Sequence, residues 1–197
     1  DRFTSIAANL RVDVHKIMEE LDQIKSNLKE NVTADYIASR GEYLTAMIMA
    51  EYLGFDFVDT AGLVLFDKKG RYLDEETNKV LSEELAKHEH AVIPGFYGTT
   101  PDGAIKTFSR GGSDITGSLV ARAVNATMYE NWTDVSGFMM ADPRIIKNPK
   151  PIKTITYKEL RELSYMGASV LHEDAVFPVR AADIPINIRN TNEPEHE

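Results

Sequence analysis

The chain has 197 residues, 43% of them hydrophobic, which suits a globular chain of one domain or slightly more. Its 31 Asp and Glu outnumber its 22 Lys and Arg, and without a basic cluster the net charge of −9 argues against a nucleic-acid partner. The sequence has no apolar run of membrane-spanning length, no cysteine and no visible signal peptide, so we expect no membrane partner, no disulfides and a cytoplasmic protein.

Helical patterns open the chain. Apolar residues recur every three or four positions from Ile6 to Leu28, which predicts one long amphipathic helix. A second helix is predicted from Ser39 to a stop at Gly54, and Ser39 and Glu42 stand at capping-box spacing. From spacing alone, a structural role for Glu42 as part of that cap is favoured over a functional one.

Short strands, turns and one polar helix are predicted next. The strands cover residues 57–60, 63–66 and 91–94, with a turn at 68–70 and a helix at 73–87. His88 and His90 follow this helix, but no further metal ligands accompany them, so we interpret them as a solvated helix end. A hairpin tip at 99–103 and a return strand at 105–108 complete this part.

The chemistry concentrates in residues 109–118, where a glycine turn leads into a helix. Gly111 and Gly112 allow a ligand to approach the main chain, while Ser113 or Asp114 can cap the exposed N–H groups of the helix. Arg110 adds a planar guanidinium that fits a carboxylate or phosphate. The segment therefore suits an anion site at a helix start, although an ordinary capped turn with a surface arginine explains it equally well.

The rest of the chain continues the alternation of strands and helices. Strands are predicted at 126–131 and 184–190, and helices at 157–166, capped by Thr156, and 175–182, with a break at Gly167 and Ala168 between the two helices. A loop rich in proline and lysine covers 145–153. This alternation predicts an α/β sandwich with a mostly parallel sheet and a ligand site at one edge.

Six segments occur together in a family-specific order. They are Ser39–Glu42, Pro94–Gly98, Arg110–Asp114, Trp132–Val135, Asp142–Arg144 and Gly167–His172. In this order the sequence resembles the aspartate kinases of the amino-acid kinase superfamily, from about Ala34 to Asn190. Related kinases for acetylglutamate, glutamate or UMP share the fold but not the combined RGGSD, WTDV and DPR segments. The resemblance implies a three-layer α/β/α sandwich.

The resemblance also implies a reaction. Aspartate kinases transfer the γ-phosphoryl group of ATP, with Mg²⁺, to the β-carboxylate of L-aspartate, which leads to Lys, Thr and Met synthesis. It places Arg110 on the α-carboxylate of aspartate and Glu42 and Asp114 near the α-ammonium, with Arg110 and Asp114 as the catalytic pair. Phe96 and Ser113 match further positions of the aspartate pocket.

The nucleotide side is implied by the same resemblance. Thr133 and Asp134 match the segment that lines the adenosine site, and Arg144 matches an arginine directed at the phosphates. Met139 stands where the family often has tyrosine and can still pack on a base through its thioether. Ser169 stands where lysine is common and cannot supply that cation. No protein metal site is expected.

The ends of the chain differ from the family pattern. Family members begin with a strand that carries Lys-Phe-Gly-Gly-Ser and have regulatory ACT domains after the kinase domain, and neither feature is found here. We therefore expect residues 1–190 to form a partial kinase catalytic domain, with 191–197 as a polar tail, that is inactive by itself and able to form a homodimer. The alternative function is a non-catalytic folded fragment that at most binds aspartate.

Overall fold

A computed structural model describes residues 2–28, 32–135, 137–140, 145–165 and 173–195. The described residues divide into two compact units, Asp1–Ser113 and Asp114–Glu197. The elements in chain order are α1 (Arg2–Leu10), α2 (Val14–Asn27), α3 (Ala34–Leu53), β1 (Asp56–Phe57), α4 (Asp74–Leu85), β2 (Ala91–Val92), β3 (Tyr97–Thr99), β4 (Ile105–Thr107), α5 (Gly112–Ala123), β5 (Tyr129–Thr133), α6 (Tyr157–Tyr165), α7 (Glu173–Ala181) and β6 (Ile186–Asn190). Within the described ranges, no helix combines the length and apolar content that crossing a membrane requires.

The first unit opens with two helices instead of the single long helix predicted. Arg11 has a left-handed φ of 59°, and the carboxylate of Asp13 caps α2 by accepting a hydrogen bond from the backbone N–H of His15 at 2.9 Å. The spacing of apolar residues continues across this break because both helices pack on the same core cluster, which contains Ala7 of α1 and Ile17 of α2. The single-helix prediction is therefore wrong.

Helix α3 begins earlier than predicted. The side chain of Thr33 accepts a hydrogen bond from the N–H of Tyr36 at 3.1 Å and so forms the N-cap. Ser39 lies inside the helix, fully buried, where its hydroxyl donates to the carbonyl of Tyr36 at 2.7 Å. The predicted capping box of Ser39 and Glu42 is therefore wrong, whereas the stop at Gly54, with a φ of 69°, is confirmed.

The strands of the first unit are short. β1 pairs in parallel with β2, and β3 pairs antiparallel with β4 to form the predicted hairpin. The strand predicted at 63–66 is reduced to isolated bridges, which join Leu65 to Thr99 and Phe66 to Tyr72. The turn at 68–70 is confirmed, since the carboxylate of Asp67 accepts from the N–H groups of Lys69 and Arg71.

The predicted polar helix is confirmed as α4, but its end is more ordered than a solvated terminus. Nδ1 of His88 lies 2.7 Å from the carboxylate of Asp56, and Nε2 lies 3.3 Å from that of Glu84. These hydrogen bonds, the one to Asp56 first, raise the pKa of His88. Across the part of the chain that the structure describes, no cluster of three possible metal ligands is found.

In the second unit β5 and β6 run parallel over five paired positions, from Tyr129 with Ile186 to Thr133 with Asn190. Helix α6 starts with a reciprocal cap, because the hydroxyl of Thr156 accepts from the N–H of Glu159 while the N–H of Thr156 donates to the Glu159 carboxylate. The Thr156 cap is thus confirmed. The predicted break at residues 167–168 lies outside the described residues.

Helix α7 and strand β6 also confirm the last two predicted elements. Two clusters of buried side chains form the core of this unit: Phe138, Leu160 and Val176 in one, and Ala121, Val179 and Ile184 in the other. Parallel strand pairs connected through helices are typical of α/β proteins. The α/β class is therefore confirmed.

Candidate functional site

The Arg110 turn leads into α5 as predicted. Gly111 has a left-handed φ of 59°, a conformation that favours glycine. Because α5 begins at Gly112, Ser113 and Asp114 lie within its first turn, so the expectation that one of them precedes and caps the helix is wrong. The Arg110 side chain is exposed and forms no hydrogen bond or ion pair with any described residue. Its guanidinium is available to an anion.

The loop at Gly95 and Phe96 packs tightly on this helix start. A Cβ atom added to Gly112 would lie 2.5 Å from the Cβ of Phe96 and 3.0 Å from that of Phe108, so only glycine fits there. A Cβ atom on Gly95 would lie 3.1 Å from the hydroxyl oxygen of Ser113. The structure therefore brings Phe96 and Ser113, both predicted substrate residues, to the same place.

Phe96 itself has a φ of 63°, which is uncommon for a residue with a side chain. Its carbonyl accepts a hydrogen bond from the N–H of Phe108 at 2.9 Å. The next residue, Tyr97, is fully buried and its hydroxyl donates to the carboxylate of Asp59 at 2.6 Å. Burial raises the pKa of Tyr97, so it stays a neutral donor. The loop is thus anchored on both sides.

Arg40 adds a second support to the loop that the sequence analysis missed. Its guanidinium lies 5.5 Å from the ring centre of Tyr97 and 4.5 Å from that of Tyr43. Such cation–π contacts hold aromatic rings in place. Arg40 stands beside Glu42 in the predicted motif, but no local pattern in the sequence identifies its distant partner Tyr97.

Glu42 lies on the exposed side of α3. Its carboxylate forms no hydrogen bond or ion pair with the residues that the structure describes. Because the capping box is absent, the structural explanation for Glu42 no longer holds. A charged and unpaired carboxylate is available to a cationic group.

Asp114 is held by strand β5. Its Oδ1 atom accepts a hydrogen bond from Nδ2 of Asn131 at 2.9 Å, and Asn131 is only 7% exposed. Nδ2 of Asn131 also donates to the hydroxyl of Tyr129 at 3.1 Å. Neither partner was predicted from the sequence. Part of the signal was present, because residues 129 and 131 lie on the same face of the predicted strand and Asn131 is polar.

Two of the predicted nucleotide residues, Thr133 and Asp134, lie at the end of β5. The carbonyl of Thr133 accepts from the N–H of Thr191 at 2.8 Å, and its hydroxyl donates to the carboxylate of Asp134 at 3.3 Å. Met139 is 37% exposed and forms a backbone bridge with Pro151. Arg144 and Ser169 lie outside the described residues.

The second unit also contains a cavity of about 1120 Å³. Its wall includes Gly137 and Phe138, the loop before α6, and the edge of β6. Among the described residues, Thr133, Asp134 and Met139 do not line it. These three predicted nucleotide residues are therefore not part of the wall of this cavity.

The model of the amino acid kinase family matches residues 5–190. Aspartokinase 3 of Bacillus subtilis is 36% identical over 210 residues, which cover 100% of this chain and 46% of the relative. The crystal structure of Clostridium acetobutylicum aspartate kinase is 55% identical with a TM-score of 0.85, and covers 91% of this chain and 41% of that one.

A third match is the structure of Escherichia coli aspartokinase III in complex with aspartate and ADP. It is 25% identical with a TM-score of 0.75, and covers 92% of this chain and 44% of that one. The chain thus spans less than half the length of the relatives that it matches. These structures confirm the predicted amino-acid kinase fold. Because the family model matches nearly every residue, the chain belongs to the amino acid kinase family.

Proposed function

We propose that the protein carrying this chain is an aspartate kinase, which transfers the γ-phosphoryl group of ATP to the β-carboxylate of L-aspartate. The observation that carries the proposal is the exposed guanidinium of Arg110, which has no hydrogen-bond or ion-pair partner among the described residues and lies beside a helix start that is packed against the Phe96 loop. A planar guanidinium matches a carboxylate through two parallel hydrogen bonds. The similarity to several aspartokinases supports aspartate as the ligand.

The three charges of aspartate suggest a role for each predicted substrate residue. Arg110 binds the α-carboxylate, and Glu42 and Asp114 attract the α-ammonium. Phe96 and Ser113, which lie together in the first unit, are assigned further contacts with the substrate. Such a reaction depends on holding the β-carboxylate in line with the phosphate and needs no protein nucleophile, so we assign Arg110 and Asp114 a catalytic role through orientation of the substrate.

The nucleotide is assigned to residues of the second unit. Thr133, Asp134 and Met139 are proposed to contact the adenosine, and Arg144, which lies outside the described residues, is proposed to bind the phosphates. The presence of ADP in the related Escherichia coli structure supports a nucleotide site in this fold. Mg²⁺ usually keeps several waters and is bound through phosphates with one or two carboxylates. When bound, Mg²⁺ neutralises phosphate charge.

We further propose a cytoplasmic protein in which residues 1–190 belong to the kinase catalytic domain and 191–197 form a polar tail. The product would serve Lys, Thr and Met synthesis.

A homodimer is also proposed, because three large apolar side chains are exposed: Ile6 on α1, Met18 on α2 and Leu28 at the C-cap of α2. Light scattering at several protein concentrations tests it: a dimer mass supports the proposal, and a monomer mass at all concentrations contradicts it.

The test of the proposed function is an acceptor panel. The protein that carries this chain is incubated with ATP, Mg²⁺ and hydroxylamine, which traps acyl phosphates as hydroxamates, and with L-aspartate, L-glutamate or N-acetylglutamate. UMP is assayed separately through ADP release. We expect product with L-aspartate alone. Turnover with another acceptor, and none with L-aspartate, would replace the proposed substrate.

A further inference from the structure

Strand β5 carries a buried amide on its inner face. Tyr129, Asn131 and Thr133 alternate with the exposed side chains of Glu130 and Trp132. An inner position next to a helix would ordinarily hold an apolar residue, since an amide without hydrogen-bond partners is costly to bury. The partners of Asn131 therefore explain why an amide is present.

Both partners of this amide are described. Nδ2 of Asn131 lies 2.9 Å from Oδ1 of Asp114 and 3.1 Å from the hydroxyl of Tyr129. The two N–H groups of the amide are matched by these two acceptors. Within the described residues, Oδ2 of Asp114 accepts no hydrogen bond. One oxygen of the carboxylate is thus fixed and the other is available to a ligand.

The close approach of α5 and β5 depends on Gly117. A Cβ atom at this position would lie 2.6 Å from the hydroxyl oxygen of Tyr129 and 2.9 Å from its ring. Asp114 and Gly117 are three residues apart and share one face of α5. The missing side chain at Gly117 therefore lets the strand come near enough for Asn131 to reach Asp114.

We propose that Asn131 is a positioning residue for Asp114. Its amide holds the carboxylate in a single rotamer, so that the other oxygen faces the α-ammonium of the substrate without an entropic loss at binding. The nature of the ligand rests on the proposed function, whereas the positioning itself does not. A hydrogen bond from a neutral amide to a carboxylate is stronger than one between two neutral groups.

The first test replaces Asn131 by leucine, which has the same number and branching of side-chain heavy atoms and no donors. Asn131→Leu should raise the KM for aspartate about tenfold and leave the KM for ATP within about twofold. Tyr129→Phe is the control. It keeps the ring against Gly117 and the bond from Asn131 to Asp114, and removes only the hydroxyl that accepts from Asn131 and donates to the carbonyl of Asp114. We expect less than about a threefold change for this control. An unchanged KM for aspartate in Asn131→Leu overturns the proposal.

A double-mutant cycle separates positioning from a merely structural role. If Asn131 acts through Asp114, then Asn131→Leu should cause no further change in aspartate kinetics when Asp114 is already alanine. Losses that multiply in the double variant would show that Asn131 acts independently, and would overturn the proposal. Melting temperatures of all four proteins identify any variant that fails to fold.

A readout that needs neither activity nor a folded Asn131 variant is the side-chain ¹⁵N–¹H resonance of Asn131. We expect two protected amide protons, one whose shift changes in Asp114→Ala and the other whose shift changes in Tyr129→Phe, since each N–H has its own acceptor. The positioning role is overturned if the Asn131 amide protons are unprotected, or if their chemical shifts are the same in Asp114→Ala as in the wild type. If the wild type forms no aspartyl phosphate while the resonance behaves as expected, the proposed function fails and the positioning role of Asn131 stands.

Discussion

The two candidate ligand regions differ in what fixes them. The substrate-side segment, residues 95–113, is held by backbone contacts so close that Gly112 has no room for a Cβ atom, and by left-handed residues at Phe96 and Gly111. The nucleotide-side segment, residues 133–135 and 137–140, is held by backbone hydrogen bonds and by the buried Phe138, while Asp134 and Met139 remain exposed. A region built from backbone contacts should tolerate substitution far less than one built from exposed side chains.

The largest effect is expected for Gly112→Ala. The new methyl group would meet the Cβ of Phe96 at 2.5 Å and force the loop away from the helix start. Overpacking of this kind costs about 1–3 kcal/mol of stability. A misplacement of about 1 Å can lower activity on the order of a hundredfold. Thermal unfolding and aspartate kinetics measure both.

Gly41→Ala is the matched control for this variant. Gly41 lies inside α3, where an added Cβ atom meets nothing within 4 Å. Alanine there should raise stability by roughly 0.5–1 kcal/mol, because glycine is unfavourable in a helix interior. If both alanine variants behave alike, the substrate-side segment is not held by close packing and the contrast between the two regions fails.

Glu42→Gln separates charge from structure in the first unit. The capping box is absent and the carboxylate is exposed, so we expect an unchanged melting temperature. The KM for aspartate should rise about tenfold, since a hydrogen bond to a charged group is worth roughly 1.5–3 kcal/mol. A variant that loses stability and keeps its aspartate kinetics would show that Glu42 is structural after all.

A smaller effect is expected for Met139→Ala on the nucleotide side. Contacts of a thioether with an aromatic ring are worth roughly 0.3–1.5 kcal/mol, and Met139 is already 37% exposed. We expect the KM for ATP to rise about two- to threefold, with aspartate kinetics and the melting temperature unchanged. A loss as large as that of Gly112→Ala would mean that both regions are equally constrained.

The smallest effect concerns His88, which is a surface contact of the first unit. Its pKa is raised above the usual 6.5, first by the hydrogen bond to Asp56 and then by that to Glu84. Its stabilising effect is therefore complete below pH 6.5 and is lost as the pH rises through the raised pKa of the folded state. Melting temperatures between pH 6 and about 8 should fall slightly in the wild type. His88→Gln should abolish this fall of the melting temperature with pH. If the variant shows the same fall, other titrating groups cause it.

The substrate-side turn was predictable because its signals are local. Two consecutive glycines before a run of periodic apolar residues indicate a turn and a helix start. Pro101 and Gly103 are typical turn residues and predicted the hairpin. The cap at Thr156 is also a local pattern. Such features depend on neighbours in the chain, so the sequence alone contains the information.

Features that depend on distant contacts were missed. The break between α1 and α2 is hidden because both helices bury the same stripe in one core, so the spacing of apolar residues continues through Arg11. Ser39 was assigned to a cap although burial inside α3 decides its role. The partnership of Asn131 with Asp114 joins residues 17 positions apart. Strand alternation marks Asn131 as an inward-facing polar residue, but only the folded chain reveals that its partner is Asp114.

The central claim is that Arg110 anchors the α-carboxylate of aspartate. The most direct test titrates the wild type and Arg110→Ala with L-aspartate and with β-alanine, which lacks only the α-carboxylate. The wild type should bind aspartate tenfold or more tightly than β-alanine, as expected from a bidentate charged contact of about 1.5–3 kcal/mol. Arg110→Ala should bind both ligands equally weakly. If this variant keeps the wild-type preference for aspartate, Arg110 does not bind the α-carboxylate and the account is contradicted.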